Sequence, residues 1–176
     1  MAVLTIPDRG EEIRDSAGIK TYLKDRGIFF DQWQAGAALP KDADQESVLA
    51  AYKADLDPLM AQGGYTVADV ISVNPDTPNL GAIRQKFLSE HTHSEDEVRY
   101  FVEGQGLFWF NLGGEEVVFS VLCQAGDLIS VPAGTRHWFD FGKEAYVRAI
   151  RTFIDPAGWV PHYTESGVDS RYNPEY

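Results

Sequence analysis

Along the first third of the chain apolar residues recur at near-helical spacing, and from Tyr65 onward they alternate. Ile13, Ala17, Tyr22 and Leu23 share a rough apolar stripe over residues 11–25, and Gly27 follows where a left-handed cap would end a helix. Asp15 and Ser16 offer a start for the regular part of that helix, with Gly18 blurring the boundary. Residues 28–33 are aromatic and β-branched after the breaker and predict a short strand. A clearer helix is expected over residues 45–62, with Val48, Leu49, Tyr52, Leu56, Leu59 and Met60 on one broad side. Gly63 and Gly64 lie beyond its end, and Pro58 inside it is a candidate kink or stop.

In the alternating part, residues 65–73 and 80–88 read as strands on either side of a loop over 74–79 that is rich in Pro, Asn and Asp. Strand-like runs follow at 97–103, 107–111, 116–122, 128–131, 137–141 and 147–153, with Gly104-Gln105-Gly106 and Gly113-Gly114 as turns between them. Short runs punctuated this regularly indicate a mainly β architecture, an antiparallel sandwich or small barrel, with the few α-helices confined to the N-terminal third. Residues 155–176 look irregular, yet Trp159, Tyr163 and Tyr172 predict that part of this tail packs back on the body. The expected organisation is one domain over 1–176: a mixed α/β part over 1–64, barrel strands over 65–154 and the tail over 155–176.

Composition narrows the partners. A formal net charge of -12 points away from nucleic acid and anionic membranes, which are bound through clusters of Lys and Arg. A small anionic substrate stays open, because a local Arg or a metal can reverse the potential inside a pocket. The single cysteine, Cys123, excludes an intramolecular disulfide and a Cys-based metal cluster, and is expected to be a small buried hydrophobe. No run reaches the ~18 apolar residues of a membrane span, and the first residues carry no basic segment of the kind that opens a secretory signal. A cytoplasmic protein is expected.

Three of the four histidines and one carboxylate fall into two phrases, His91-Thr92-His93-Ser94-Glu95-Asp96-Glu97 and the run from Gly126 to His137. His91 and His93 are two apart, so on a strand their side chains share a face. Ser94-Glu95-Asp96 makes a turn, after which Glu97, Arg99 and Phe101 share one face of the next strand. Pro132-Ala133-Gly134 then delivers His137 to another strand, with Phe139 and Phe141 on its face. Three imidazoles and a carboxylate suit Fe(II), Ni(II), Co(II), Mn(II) or Zn(II) better than Ca or Mg. An octahedral ion with four protein ligands keeps two positions open, unlike a closed structural zinc site. A lone His-x-His pair is more often a pair of surface or satisfied histidines; the full spacing is what favours a metal.

That spacing, His-x-His-x3-Glu-x6-Gly from His91 to Gly104 and Gly-x5-Pro-x-Gly-x2-His from Gly126 to His137, resembles the two motifs of the cupin superfamily. The resemblance implies a double-stranded β-helix barrel with the metal inside its mouth. Gln85 stands where the first motif usually opens with Gly, and Phe141 where the second often closes with Asn; neither position is a ligand. The longer runs 90–104, 126–129 and 132–139 resemble the acireductone dioxygenase family of methionine salvage, and the similarity extends to Arg26-Gly27-Ile28 and Gly158-Trp159-Val160. It implies that His91, His93, Glu97 and His137 bind one Fe(2+) or Ni(2+) ion, with Co or Mn accepted by the same ligands. Acireductone, 1,2-dihydroxy-3-keto-5-methylthiopentene, would chelate the ion as a dianion and be cleaved by O2. Iron would direct the reaction to formate and the 2-keto acid precursor of methionine; nickel or cobalt would direct it to formate, carbon monoxide and 3-methylthiopropionate.

Arg99 would offset the dianion's charge, its competing part being an ion pair with Asp96 or Glu103. Phe87, Phe139 and Trp159 are candidate walls for the methylthio end, against plain core packing. Asp96 is a candidate base or supporting acceptor, against an exposed turn residue, and His162 is expected at the surface. The family likeness also implies a monomer. Two other readings compete: a cupin enzyme acting on a different enolic substrate, as a dioxygenase or isomerase, and a ligand-binding cupin without turnover.

Overall fold

The structure, a computed structural model, describes residues 1–34, 39–40 and 42–172. In chain order its elements are β1 (Val3–Ile6), β2 (Glu11–Ile13), α1 (Ser16–Lys24), β3 (Phe29–Gln32), α2 (Gln45–Ala51), α3 (Lys53–Gly63), β4 (Val67–Val73), α4 (Leu80–Leu88), β5 (His91–Thr92), β6 (Glu97–Phe110), β7 (Phe119–Gln124), β8 (Asp127–Val131), β9 (His137–Asp140), β10 (Val147–Phe153) and β11 (His162–Tyr163). The strand pairs are antiparallel. One sheet runs β11-β5-β9-β6-β7-β1-β2; the other places β3, β8, β6, β10 and β4 side by side. Between them lies the main core, in which Phe108, Phe110, Phe119, Val121 and Phe139 of the first sheet meet Phe101, Ile129, Val131, Val147 and Ala149 of the second. The helices α2 and α3 cover the outer face of the second sheet, where Val48, Tyr52 and Leu56 pack on Val98, Tyr100, Leu128 and Ile150.

β6 belongs to both sheets. Its first half pairs with β8 and β10, and its second half, from Gln105, with β7 and β9. The expected turn at Gly104-Gln105-Gly106 is therefore a crossing point within one 14-residue strand. Both glycines are required by close approach rather than by chain reversal. Gly104 sits at φ +71, and a Cβ there would collide with the Tyr146 carbonyl oxygen; a Cβ on Gly106 would run into the Phe139 ring.

Residues 80–88 form a helix, not a strand. Leu80, Ile83 and Phe87 are the residues that pack against the core, and spacings of three and four belong to a helix face. Residues 11–13 form β2 on β1, while the helix begins only at Ser16, where Asp15 accepts a hydrogen bond from the Gly18 amide at 2.7 Å. The predicted helix over 45–62 is two helices that break at Tyr52, whose buried ring packs 5.0 Å from that of Tyr100; Pro58 lies inside the second. β1 answers to no element expected from the sequence. The tail holds short 3-10 turns at Pro156–Trp159 and Asp169–Arg171 on either side of β11. Trp159 and Tyr172 pack inward, Tyr172 lying 5.5 Å from Trp109, and residues 173–176 of the expected tail lie outside the described residues.

Candidate metal centre

Four donor groups converge from three strands of the barrel. β5 and β9 set His91 directly opposite His137, so both imidazoles leave one face of the sheet. His93 follows just beyond the end of β5, and Glu97 opens β6. None of the four is more than 4% exposed. The ligand atoms of the three histidines lie within 4.8 Å of one another. Glu97 Oε2 lies against two of them, 3.1 Å from His93 Nε2 and 2.9 Å from His137 Nε2.

Main-chain carbonyls orient two of the rings. His91 Nδ1 lies 2.6 Å from the Ser89 carbonyl and His137 Nδ1 lies 2.8 Å from that of Thr135. A ring nitrogen in such a position carries the proton, which in a neutral imidazole leaves Nε2 as the free lone pair. His137 thus directs a lone pair at a carboxylate oxygen, and two acceptors this close call for a cation between them or a second proton on the ring. Burial first, and the neighbouring His137 second, push the His91 pKa down to about 4. Burial by itself would raise the Glu97 carboxyl; the Arg99 charge and the bonds to His137 and His93 outweigh it and hold the group well below the usual carboxylate range. His93 Nδ1 is buried without a hydrogen-bond partner among the described residues. Three imidazoles and a carboxylate fit a divalent first-row transition ion.

Arg99 stands one row deeper, on the same face of β6 as Glu97. It is 1% exposed and donates from Nη2 to Glu97 Oε1 at 2.6 Å, whereas Nε and Nη1 have no hydrogen-bond partner among the described residues. Its guanidinium carbon lies 4.4 Å from the centroid of Phe139 and 5.3 Å from that of Phe108. In register across the second sheet, Asp69, Arg151, Arg99 and Ile129 form one row, and Asp69 holds Arg151 through Nε at 2.7 Å.

The other sequence candidates take different places. Phe139 is buried directly beneath Arg99. Trp159 stacks on His93 with centroids 5.9 Å apart and lies 6.0 Å from the Arg99 guanidinium. Phe87, on α4, reaches this wall through Phe141: the Phe87–Phe141 centroids are 5.8 Å apart and the Phe141–Phe139 centroids 5.1 Å. The Asp96 carboxylate accepts from the Tyr65 hydroxyl at 3.0 Å and from the Ala133 amide at 2.9 Å. It thereby ties the turn that carries His137 to the start of β6. Cys123 is fully buried, and burial raises its thiol well above the ordinary value. His162 is exposed on β11.

Two glutamates beside the histidines went unread in the sequence. The buried Glu90 carboxylate accepts from Asn111 Nδ2 at 2.7 Å, from Ser166 Oγ at 2.8 Å and from the Thr164 hydroxyl. Glu95 accepts from the amides of Ile154 and Asp155. Their partners lie 21 to 76 positions further along the chain, beyond any local spacing rule.

A sequence model described as the ARD/ARD' family matches residues 8–161 of this chain. The chain belongs to this family. Among relatives of the ARD/ARD' chain, the acireductone dioxygenase of Picosynechococcus sp. is 55% identical over 98% of this chain and 97% of that protein. The acireductone dioxygenase of Alcanivorax borkumensis is 51% identical over 95% of this chain and 92% of its own. Among solved structures, acireductone dioxygenase from Bacillus anthracis, described with a cadmium ion in its active centre, superposes with a TM-score of 0.84 at 32% identity. The superposition covers 93% of this chain and 98% of that one. The ARD/ARD' fold is the cupin fold that the two motifs imply, and this member carries the three-histidine cluster inside it.

Proposed function

We propose that this chain is a metal-dependent dioxygenase that cleaves acireductone with O2 in methionine salvage. Its family membership and relatives supply the activity class; the observation in this chain that carries the reading is Arg99, a buried cation beside the histidine cluster with two donor nitrogens left over. A buried charged donor without partners calls for an explanation, and a bound anionic ligand supplies one. An enediolate supplies adjacent anionic oxygens, the acceptors that a planar guanidinium pairs with best.

In this reading His91, His93, Glu97 and His137 hold one divalent ion. The bound ion supplies a Lewis-acidic, redox-capable centre whose identity sets the products: formate and 2-keto-4-methylthiobutyrate with iron, formate, carbon monoxide and 3-methylthiopropionate with nickel or cobalt. Glu97 serves two neighbours at once, through Oε2 toward the histidines and through Oε1 to Arg99, which fixes the guanidinium relative to the cluster. Arg99 receives the substrate's anionic oxygens on its remaining donors and offsets their charge. Phe139 supports the guanidinium from below, and with Trp159 and the more distant Phe87 it forms the apolar side that receives the methylthio end. Asp96 acts as a positioning acceptor for the Pro132-Ala133-Gly134 turn. No helix among the described residues is long and apolar enough to cross a membrane, and the reading places the enzyme in the cytosol as a monomer, a state that light scattering of the purified protein checks.

The test is reconstitution of metal-free protein with iron or with nickel under anaerobic conditions, followed by acireductone, air and product analysis. Carbon monoxide from the nickel form and the keto acid from the iron form are expected, and His91→Ala is expected to lose both metal and turnover. O2 uptake by neither form, with the metal shown to be bound, would sink the proposal.

A further inference from the structure

Between the candidate ligands His93 and Glu97 stand Ser94, Glu95 and Asp96, and each of the three is bonded to the turn over residues 154–159. Ser94 Oγ donates to the Gly158 carbonyl at 3.3 Å. The Glu95 carboxylate accepts from the Ile154 amide at 2.9 Å and from the Asp155 amide at 3.0 and 3.1 Å. The Asp96 carbonyl accepts from Trp159 Nε1 at 3.2 Å. Gly158 lies so near the Glu95 side chain that an added Cβ would collide with it. The same turn presents the Trp159 ring to His93, at an interplanar angle of 28°, and the Arg151 guanidinium carbon lies 5.0 Å from the ring centroid.

Glu95 thus places its charge on two adjacent main-chain amides at the start of the turn. A carboxylate accepting from such amides forms charge-assisted bonds that are shorter and stronger than neutral ones. We propose that Glu95 is a positioning residue for the substrate: its carboxylate fixes the 154–159 turn, so that Trp159 stands over His93 as the wall that recognises the substrate's apolar end. This rests on the acireductone reading above. The residues that the ligand motif treats as spacers thereby join metal holding to substrate selection. Removal of the carboxylate leaves the Ile154 and Asp155 amides to bond with water, since these bonds are exposed. The barrel survives while the turn loses its fixed orientation.

The test compares wild type, Glu95→Ala, Glu95→Gln, Trp159→Ala and the Glu95→Ala/Trp159→Ala double variant, each loaded with nickel and assayed for metal content. Each is given acireductone and an analogue in which hydrogen replaces the methylthio group. Loss of an apolar contact of this size changes discrimination roughly tenfold. Glu95→Ala is therefore expected to raise KM for acireductone by about that factor, to change kcat little and to leave KM for the analogue nearly unaltered. Glu95→Gln, which keeps one acceptor oxygen, recovers part of the loss. The double variant is expected to be no worse than Trp159→Ala, because residues acting through one contact are not additive. Equal losses for both substrates, additive losses, or loss of metal in Glu95→Ala would each overturn the proposal. Iodide quenching of the Trp159 emission, taken as the difference between each protein and its Trp159→Phe counterpart, gives a readout free of turnover. It is expected to rise in Glu95→Ala, and unchanged quenching rejects the hold of Glu95 on the ring. Should the wild type turn over neither compound, the acireductone reading fails while the quenching measurement still decides the part played by Glu95.

Discussion

Arg99 carries its charge into an interior that leaves 1% of it exposed. Its ion pair is with Glu97, which also faces two imidazoles. Removing one member of a buried pair leaves the other charge uncompensated, at a cost of about 3–5 kcal/mol. In metal-free protein Arg99→Met is therefore expected to lose about 3 kcal/mol of stability by urea unfolding. With a divalent ion bound, the loss is expected to be smaller, since the ion then shares the Glu97 charge; equal losses in the two states would show that Glu97 does not face the ion. The ligand candidates were legible at this scale because one ion imposes spacing, parity and residue type together. Glu90 and Glu95 were not, since a glutamate beside a histidine looks like any polar residue until the amides and hydroxyls it receives are known.

Among the elements, β6 matters most to the site, because it takes Glu97 and Arg99 from one sheet and hands the chain to the other. Gly104 and Gly106 make that passage, one by its left-handed backbone and the other by leaving room for Phe139. Their spacing imitates a turn, and alternation to either side of them imitates two strands, so the sequence pattern splits an element that hydrogen bonding keeps whole. For α4 the error has another source: a run as short as residues 80–88 supports either period, and only its packing on the core selects the helix. The barrel itself was readable because strand runs and turn residues recur all along its length. The two glycines make separable predictions. Gly104→Ala meets both a strained backbone and a collision, and is expected to destabilise the fold by at least about 2 kcal/mol in urea. Gly106→Ala displaces Phe139 and with it the Arg99 guanidinium; kcat/KM is expected to fall by about tenfold or more with metal content retained. A Gly106→Ala enzyme with unchanged kinetics would remove Phe139 from the support of Arg99.

At the scale of the molecule, residues 154–166 form a strap across the ligand run. Glu95 holds it near one end, Glu90 near the other, and β11 pairs with β5 in between. The strap adds no ligand candidate, yet it touches His91 and His93 through Tyr163 and Trp159. A bound ion and the strap should therefore stabilise one another. An ion present at 100 times its dissociation constant adds about 2.7 kcal/mol, and chelation is expected to lower the unfolding midpoint and to expose the strap to proteases ahead of the barrel, as followed by mass spectrometry of the first cleavage products. The same arrangement sets an order of events during synthesis. Residues 91–137 leave the ribosome ahead of residues 154–166, so all four donors emerge before the segment that covers them. An ion arriving at that moment meets an open barrel, whereas one arriving after release must wait for the strap to lift.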